Sequence, residues 1–320
     1  MTIDVVKPGM LSTFQDRGRY GHQHLGLSVS GAMDTLSQTL ANVVLGNDEN
    51  APTIEITMLG PVLHFTEHAV IALCGADLSA EIDGIPVNQA EPTAVRAGER
   101  LTFGRRVHGV RCYLAIRGGF DAPIFMGSAS TYLRGRVGGL DGRALKAGDT
   151  LRACSHEIDL PALPFESTVL NALLKDRIGD TVRVMPGREW DHFDDHARET
   201  LLGQPYTITT QSDRMGYRLE GPVLDRATKR DILSEAITFG AMQVPPNGQP
   251  IVLMAERQTT GGYPKIVQVI GADLGKLAQC APGDTIRFEL TDLRTAQNLL
   301  RERATALKAV REAAWQRYTF

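Results

Sequence analysis

Residues 251–270 read IVLMAERQTTGGYPKIVQVI, two apolar runs separated by ten mostly polar residues. Short runs rich in valine, isoleucine and leucine, bounded by glycine, proline or charged residues, are typical of β-strands. Similar runs recur along the chain, at 70–74, 111–116 and 181–185. The sequence therefore predicts a mainly β protein.

Two segments break this pattern and predict helices. Leucines and valines recur with helical spacing across residues 34–45, where Asp34 is placed to cap the first turn and Gly46-Asn47 to end the helix. A second helix is predicted after Thr291, and we expect this C-terminal amphipathic helix to pack on its own domain by one apolar stripe. The predicted stripe consists of Leu293, Leu300, Ala304, Leu307 and Ala314.

The chain of 320 residues is longer than a usual single domain, and its two halves contain similar short segments in the same order. These segments are Gly31-Ala32-Met33 and Gly240-Ala241-Met242, Gly75-Ala76-Asp77-Leu78 and Gly271-Ala272-Asp273-Leu274, and glycine-acid turns at 98–99, 148–149 and 283–284. The proline-containing stretch 155–164 is the predicted linker. We therefore expect two related β-barrel halves, residues 1–160 and residues 161–320, the second carrying the C-terminal helix.

Composition excludes several classes of function. With 34 Lys and Arg against 37 Asp and Glu, the net charge of −3 lacks the positive excess of a nucleic-acid-binding protein. The first residues do not follow a signal-peptide pattern, and no apolar run reaches the roughly 18 residues that predict a transmembrane helix. The four cysteines lie far apart and are interpreted as reduced thiols. We expect a cytoplasmic protein that binds neither nucleic acid nor membranes.

The polar segment between the two opening strands is the first candidate site. A plain hairpin turn of about two to five residues would not need so many hydrogen-bonding groups, so we interpret the segment as a binding site, with a surface hairpin as the alternative. Its candidate groups are Arg257 and Lys265 for anions, Gln258, Thr259 and Thr260 for neutral hydrogen bonds, and Gly261 and Gly262 for close approach of a ligand to the backbone.

Two other segments could hold an anion. Residues 127–131, GSAST, precede Arg134, Arg136 and Arg143, and hydroxyls with backbone N–H groups near arginines suit a phosphate or carboxylate. Residues 15–19, QDRGR, precede the helix that begins near Asp34, whose N-terminus could also hold an anion, although a plain cap is the favoured interpretation of Asp34. Residues 271–276, GADLGK, lack the spacing of a nucleotide-binding P-loop.

Motifs along nearly the whole chain resemble the family of the 5-oxoprolinase C subunit, also called the KipA or allophanate hydrolase subunit 2 family, which is related to part of the carboxyltransferase region of urea carboxylase. The matching segments include KPG at 7–9, QDRGR at 15–19, GAMD at 31–34, RGG at 117–119, GSAST at 127–131, RMGYRL at 214–219, VPPNGQP at 244–250 and QTTGGYP at 258–264. One position departs from the family pattern, because Glu256 stands where an aspartate is expected.

The resemblance implies tandem cyclophilin-like β-barrels, in agreement with the internal repeats. It also implies an ATP-dependent hydrolase that opens the cyclic amide 5-oxo-L-proline to L-glutamate and works only in a complex. The implied obligate partner is the B subunit, the A subunit is separate, and ATP is shared with these partners. The spacing of histidines and acids separately predicts no metal site, because His192 and His196 lack an HExxH pattern and His22 and His24 supply too few ligands. Under this interpretation Glu256 or Asp34 transfers protons. The candidate substrate-binding residues are Arg257, Gln258, Thr259, Thr260, Gly261, Gly262, Tyr263, Lys265, Arg214, Arg218, Asn247, Gln249, Ser128, Ser130 and Thr131.

Two other functions stay open. The first is biotin-dependent carboxyl transfer, as in urea carboxylase, with biotin supplied on another chain because the acceptor sequence Ala-Met-Lys-Met is absent here. The second is regulatory, a KipA-like protein that binds a kinase-inhibiting B subunit. A neighbouring gene for a lactam-hydrolase A subunit would favour the hydrolase, and genes for biotin carboxylase and carrier would favour carboxylation.

Overall fold

The computed structural model describes residues 1–154, 168–175, 179–227 and 232–318. The predicted linker at 155–164 lies outside these residues. By their internal contacts the residues divide into two compact units. Unit 1 consists of Met1–Tyr20, Ser30–Lys175 and Ala304–Phe320, and unit 2 of Gly21–Val29 and Asp176–Arg303. Both units are discontinuous in sequence, and the single boundary near residue 160 stays a prediction.

Unit 1 is built from two antiparallel sheets. Its strands are β1 (Thr2–Lys7), β2 (Leu11–Gln15), β3 (Thr53–Thr57), β4 (Val62–Phe65), β5 (Ala69–Asp77), β6 (Ala80–Ile82), β7 (Ile85–Pro86), β8 (Thr93–Val95), β9 (Arg100–Phe103), β10 (His108–Ile116) and β11 (Thr150–Arg152). One sheet has the order β11-β1-β4-β9-β6-β7 and the other the order β2-β3-β10-β5-β8. Apolar side chains from both sheets, among them Ile3, Phe65, Phe14 and Leu114, share one core.

The continuous apolar run at 70–74 is explained by burial of β5 on both faces. Ile71 and Leu73 belong to the core between the sheets, whereas Val70 and Cys74 pack in a second cluster. That second cluster contains side chains of the helices α1 (Thr35–Val43) and α2 (Thr168–Lys175) and of the C-terminal helix. The predicted first helix is therefore confirmed, and its face packs on the outer side of the five-stranded sheet.

Unit 2 contains a closed seven-stranded barrel. The remaining strands are β12 (Thr181–Pro186), β13 (Tyr206–Ile208), β14 (Gly216–Glu220), β15 (Glu235–Ala236), β16 (Ala241–Gln243), β17 (Ile251–Leu253), β18 (Thr260–Gly261), β19 (Lys265–Val269) and β20 (Thr285–Leu290). The barrel order is β12-β19-β16-β17-β14-β13-β20, and β12 closes it by pairing with β20. The helices are α3 (Asp195–Gly203), α4 (Leu274–Ala278) and α5 (Leu293–Tyr318), with short 3-10 turns at Gln23–Leu25 and Trp190–His192. The prediction of a mainly β fold with a few helices and a C-terminal helix is confirmed.

The buried stripe of α5 differs from the predicted one. Leu293 and Leu300 are 59% and 44% exposed, whereas Ala296 packs against Ile270 and Ala272. Further along the helix, Val310 and Ala314 are fully buried. The prediction is wrong for Leu293 and Ala304, which are exposed, whereas Leu307 and Ala314 pack as predicted. Leu300 keeps one side against Gly271 and leaves the rest of its side chain exposed.

The internal repeats are confirmed only for the glycine-acid turns. Each turn has its glycine at positive φ and its acid accepting a backbone N–H from three residues earlier. By contrast, Gly31-Ala32-Met33 precedes α1, whereas Gly240 precedes β16 and Ala241 and Met242 lie within that strand. The predicted equivalence of the two Gly-Ala-Met segments is therefore wrong. Across the described ranges, no helix combines the length and apolar character needed to span a bilayer.

Candidate functional site

The polar segment after β17 crosses from one end of the barrel to the other. Strands β17 and β19 do not pair with each other, because both pair with β16, which lies between them. Both run antiparallel to β16, so the segment that joins them must return along the barrel wall. We call residues 254–264 the crossover. The surface-hairpin alternative is wrong, and the length of the segment follows from the barrel topology.

A buried ion pair holds the start of the crossover. The guanidinium Nε of Arg214 donates to Glu256 Oε1 at 2.6 Å, and the two side chains are only 4% and 3% exposed. The backbone reinforces the pair, since the N–H of Glu256 donates to the carbonyl of Arg214 at 2.7 Å. Sequence analysis assigned Glu256 to proton transfer and Arg214 to anion binding. In the structure each of them neutralises the other.

Arg257 is also buried and contacts its own domain. Its Nε donates to the carbonyl of Ile237 at 3.3 Å, and Nη1 donates to the carbonyl of Met254 at 3.4 Å. The guanidinium carbon lies 5.7 Å from the centre of the Phe239 ring. These contacts place Arg257 beneath the crossover, where it supports the turn that follows β17.

Lys265 lies at the opposite end of the barrel from the ion pair, because β19 begins where β16 ends. Its ammonium is 2.6 Å from a Glu235 carboxylate oxygen and 3.1 Å from one of Glu189. Arg188 also pairs with Glu235. The hydrogen bond from Lys265, opposed by burial and reinforced by the charges of Lys265 and Arg188, holds the pKa of Glu235 below its ordinary value. Lys265 is thus balanced by two carboxylates that sequence analysis did not identify.

The middle of the crossover packs on the outer face of β16. Strand β18 pairs with β15, and a Cβ added at Gly261 would lie 2.5 Å from the Gln243 side-chain nitrogen. Gly261 therefore lies in close contact with the end of the Gln243 side chain. At Gly262 the neighbouring atoms are Ser234 Oγ and the carbonyl of Ile232, at 3.1 and 3.2 Å from an added Cβ. The close approach predicted at both glycines is made by the protein itself.

The outer side of the crossover faces solvent. Gln258 and Thr260 are exposed, and Tyr263 is 45% exposed. Thr259 is half-buried, and its carbonyl accepts the N–H of Ile237 at 3.3 Å. The polar groups of the crossover that remain accessible are therefore those of Gln258, Thr260 and Tyr263.

The remaining predicted residues of unit 2 lie toward the Lys265 end of the barrel. Asn247 and Gln249 follow β16, and the Gln249 side chain makes two 3.0 Å hydrogen bonds with the backbone of Gly221. Asn247 is exposed and its side-chain oxygen accepts the N–H of Gln249. Arg218 is exposed on β14, opposite Ile251 in the register. Arg218 is thus at the other end of the barrel from Arg214.

In unit 1 the 127–131 segment forms a cradle around one of the protein's own carboxylates. The hydroxyls of Ser128 and Ser130 donate to Asp16 Oδ1 at 2.6 and 2.5 Å, and the N–H of Ala129 donates to Asp16 Oδ2 at 2.7 Å. The N–H of Gly18 adds a fourth hydrogen bond at 2.8 Å. The loop does bind a carboxylate with hydroxyl and N–H donors, as predicted for an anion, but the carboxylate is that of Asp16 in the same chain.

Arg19, which belongs to the candidate segment 15–19 but was not singled out within it, is fully buried beside this cradle. Its Nε donates to the carbonyl of Phe125 at 2.8 Å, and its Nη2 donates to the carbonyls of Ser130 at 2.9 Å and Ser128 at 3.3 Å. Burial, partly offset by the charge of Asp16, lowers the pKa of Arg19 from its ordinary value. The QDRGR motif contains both Asp16 and Arg19, so the sequence signal for Arg19 was its place in a segment already considered for anion binding.

Asp34 caps α1 and is completely buried. One carboxylate oxygen accepts the N–H of Ser37 at 3.1 Å, and the other accepts the Ser37 hydroxyl. Its own N–H donates to the hydroxyl of Tyr113 at 2.8 Å, which in turn donates to Glu55 at 2.7 Å. Burial, together with the charges of Glu55 and Asp34, raises the pKa of Tyr113 well above its ordinary value. This network fixes the start of the helix, in agreement with the favoured interpretation of Asp34 as a cap.

The comparisons with known proteins agree on one family. A family model described as the carboxyltransferase domain, subdomain A and B, matches residues 25–290. The C subunit of 5-oxoprolinase from Escherichia coli is 40% identical over 314 residues, covering 98% of this chain and 98% of that protein. The protein of the same name from Haemophilus influenzae is 40% identical over 309 residues, covering 97% of each.

A solved structure extends the comparison to three dimensions. The urea carboxylase of Kluyveromyces lactis superposes with a TM-score of 0.89 at 31% identity, over 98% of this chain. The matched region is 29% of that much longer protein. Together with the near full-length matches, this places the chain in the carboxyltransferase-domain family with subdomains A and B, among the relatives named as the C subunit of 5-oxoprolinase.

Proposed function

We propose that this chain is the C subunit of an ATP-dependent 5-oxoprolinase complex that hydrolyses 5-oxo-L-proline to L-glutamate in the cytoplasm. The observation that carries the proposal is the 40% identity over 98% of both chains with the C subunit of the Escherichia coli 5-oxoprolinase. The B subunit is the proposed obligate partner, and a separate A subunit completes the complex.

The reaction explains why several subunits and ATP would be needed. A lactam is a poor electrophile because resonance stabilises its amide, and phosphorylation of the amide oxygen would turn it into a leaving group. The site must then bind the substrate carboxylate and stabilise charge on the reacting oxygen, which calls for hydrogen-bond donors fixed in advance. We propose that this chain contributes donors and shape to a site completed by its partners.

ATP is better placed on the partner subunits. The segment of this chain whose composition best fits a phosphate is the loop at 127–131, and its hydroxyls already donate to Asp16. The N–H of Ala129 is also engaged by Asp16, and that of Thr131 by the carbonyl of Phe14 at 2.9 Å. A phosphate would have to displace a buried carboxylate from four hydrogen bonds, so this loop does not fit the nucleotide.

We place the substrate-facing surface of unit 2 on the outer side of the crossover. Gln258, Thr260 and Tyr263 are accessible there and carry neutral hydrogen-bonding groups. Arg214 and Glu256, being buried and paired with each other, would act through the position of the crossover. On this proposal Glu256 is a positioning residue, and proton transfer falls to another group of the complex.

The alternative, biotin-dependent carboxyl transfer, is favoured by one specific observation. The match to the Kluyveromyces lactis urea carboxylase covers 98% of this chain. Under this alternative, carboxylated biotin would arrive on a carrier from another chain. Transfer of labelled carboxyl from a carrier loaded beforehand by a biotin carboxylase with ATP and labelled bicarbonate, to an amide acceptor such as urea, would favour this function over the hydrolase.

A replacement experiment tests the proposed function. An Escherichia coli strain that lacks the C subunit of its own 5-oxoprolinase should regain ATP-dependent release of glutamate from 5-oxoproline when it expresses this chain. Gln258→Ala should lower the restored activity, whereas Gln211→Ala, an exposed glutamine elsewhere in unit 2, should not. If the wild-type chain is soluble and binds the host subunits but restores no activity, the proposed function is wrong.

A further inference from the structure

Arg19 is buried with part of its hydrogen-bonding capacity unused. A guanidinium has five N–H groups, and three of those on Arg19 donate to the carbonyls of Phe125, Ser128 and Ser130. The two N–H groups on Nη1 have no partner among the described residues, although that nitrogen is buried. A buried polar group without a partner is rare in a folded protein and calls for a missing acceptor.

The charge of Arg19 is also uncompensated at contact distance. The side chain is fully buried, and within the described part of the chain no carboxylate lies in ion-pair range of it. The charge of Arg19 is attracted to the carboxylate of Asp16, but four hydrogen-bond donors already surround that carboxylate. A buried cation without a paired anion is unfavourable, so a second anion beside Nη1 would restore the balance.

The loop that Arg19 contacts contains a second buried polar atom without a partner. The hydroxyl oxygen of Thr131 is buried and has no partner among the described residues. Two consecutive glycines, Gly138 and Gly139, have positive φ values of 71° and 53°. A Cβ on Gly138 would lie 2.7 Å from Arg19 Nη2, and one on Gly139 would lie 2.0 Å from Thr131 Oγ1. The glycine pair therefore brings the backbone against both side chains.

A tight hairpin covers the guanidinium. The backbone groups of Phe125 and Ser128 hydrogen-bond to each other at 2.9 and 3.2 Å, and the Phe125 ring centre lies 5.3 Å from the Arg19 guanidinium carbon. Met126 and Gly127 form the turn with φ values of 48° and 79°. Methionine is unfavourable at positive φ, and Met126 is 40% exposed, so little packing holds the turn closed.

We propose that Arg19 and Thr131 form an occluded binding site for a small monocarboxylate, which enters when the 125–128 hairpin opens. A monoanion fits because one positive charge and the two N–H groups on Nη1 are available, and we assign the unpartnered Thr131 hydroxyl to the same site because it belongs to the loop whose carbonyls Arg19 contacts. The inference rests on the proposed function only for the identity of the natural ligand, which would be the monocarboxylate 5-oxo-L-proline.

Calorimetric titration of the purified chain with acetate, 5-oxo-L-proline and L-glutamate tests the site. At least one carboxylate should bind, and Arg19→Lys should raise its Kd at least tenfold because the planar fork of donors is lost. Arg17→Lys is the matched control, since the Arg17 side chain is 50% exposed and pairs with Glu49 on the surface. Absence of binding by all three compounds, or equal Kd values for the wild-type chain and a folded Arg19→Lys variant, would overturn the site.

A second measurement decides the matter if Arg19→Lys does not fold. Crystals of the wild-type chain soaked in sodium bromide should show an anomalous peak within hydrogen-bond distance of Arg19 Nη1. A water molecule or no density at that position would overturn the proposal. The acetate and bromide measurements use the chain alone, so their failure is distinct from failure of the proposed function, which is measured as glutamate release by the complex.

Discussion

A double-mutant cycle between Arg214 and Glu256 tests how the crossover is held. The nitrogen and oxygen of this pair are 2.6 Å apart, and neither side chain is more than 4% exposed. Glu256→Gln keeps the shape of the side chain but removes the carboxylate charge that faces the buried Arg214 guanidinium. Arg214→Met removes the positive charge instead, and the buried Glu256 carboxylate then loses the guanidinium that faces it.

The expected loss is large for a single substitution. Removing one partner of a buried ion pair costs about 3–5 kcal/mol. In a domain of this size each 1 kcal/mol corresponds to about 2–4 °C, so each single variant should lower Tm by about 6–20 °C. The double variant leaves neither charge unpaired, so its loss should be smaller than the sum of the single losses by about 1–3 kcal/mol.

Thermal and urea unfolding at pH 7 measure the cycle. The exposed pair Lys308 and Glu312, 3.8 Å apart, is the matched control, and its coupling should be only about 0.5 kcal/mol or less. Losses for Arg214 and Glu256 that add within about 0.5 kcal/mol would refute the reasoning. In the assembled complex, full activity of a folded Glu256→Gln variant would also exclude proton transfer by Glu256.

Gly261→Ala places a methyl group against the movable end of the Gln243 side chain, so we expect a loss of about 1 kcal/mol in thermal unfolding that Gln243→Ala partly restores, and an unchanged Tm would contradict this packing. Met126→Asn should raise Tm by about 1–4 °C, because Asn-Gly suits a turn with two positive φ values, and a lower Tm would contradict the assignment of strain. Burial opposes ionisation of Asp273, but hydrogen bonds from Arg183 outweigh it and hold the pKa of Asp273 below its ordinary value. This stability is present above the unfolded pKa of about 3.9 and is lost as the pH falls through the folded value. The Tm deficit of Asp273→Asn should therefore be full at pH 7 and shrink below about pH 4, and a deficit independent of pH would contradict the pairing.

Features that depend on residues close in sequence could be predicted. Asp34 caps α1 through Ser37, three residues away, and the glycine-acid turns use the same spacing. The apolar runs identified the strands because β5 and β10 are buried on both faces. These signals are local, so a single sequence contains them.

The order of the strands in the barrel could not be predicted from such local signals. The runs at 251–255 and 266–270 look like neighbours joined by a loop, but β16 is inserted between their strands. That insertion depends on the closure of the whole barrel. The same topology explains why Glu256 and Lys265, at the two ends of one polar segment, lie at opposite ends of the barrel.

The candidate site shows the same limit. The sequence identifies cations and hydroxyls but does not reveal what neutralises them. Lys265 pairs with Glu189, which is 76 residues earlier, and Ser128 and Ser130 donate to Asp16, which is 112 and 114 residues earlier. Because of these long-range partners, groups that were predicted to contact a ligand contact the protein itself. The donors without a partner are instead the Nη1 N–H groups of Arg19.

The central claim is that this chain is a necessary component of a 5-oxoprolinase. The most direct measurement is ATP-dependent glutamate release from 5-oxo-L-proline by this chain and the purified A and B subunits, assayed together and with each one left out. We predict activity in the full mixture, none from this chain alone, and loss of activity when this chain is omitted. Glutamate release by this chain alone, or undiminished release by the A and B subunits without it, would contradict the claim.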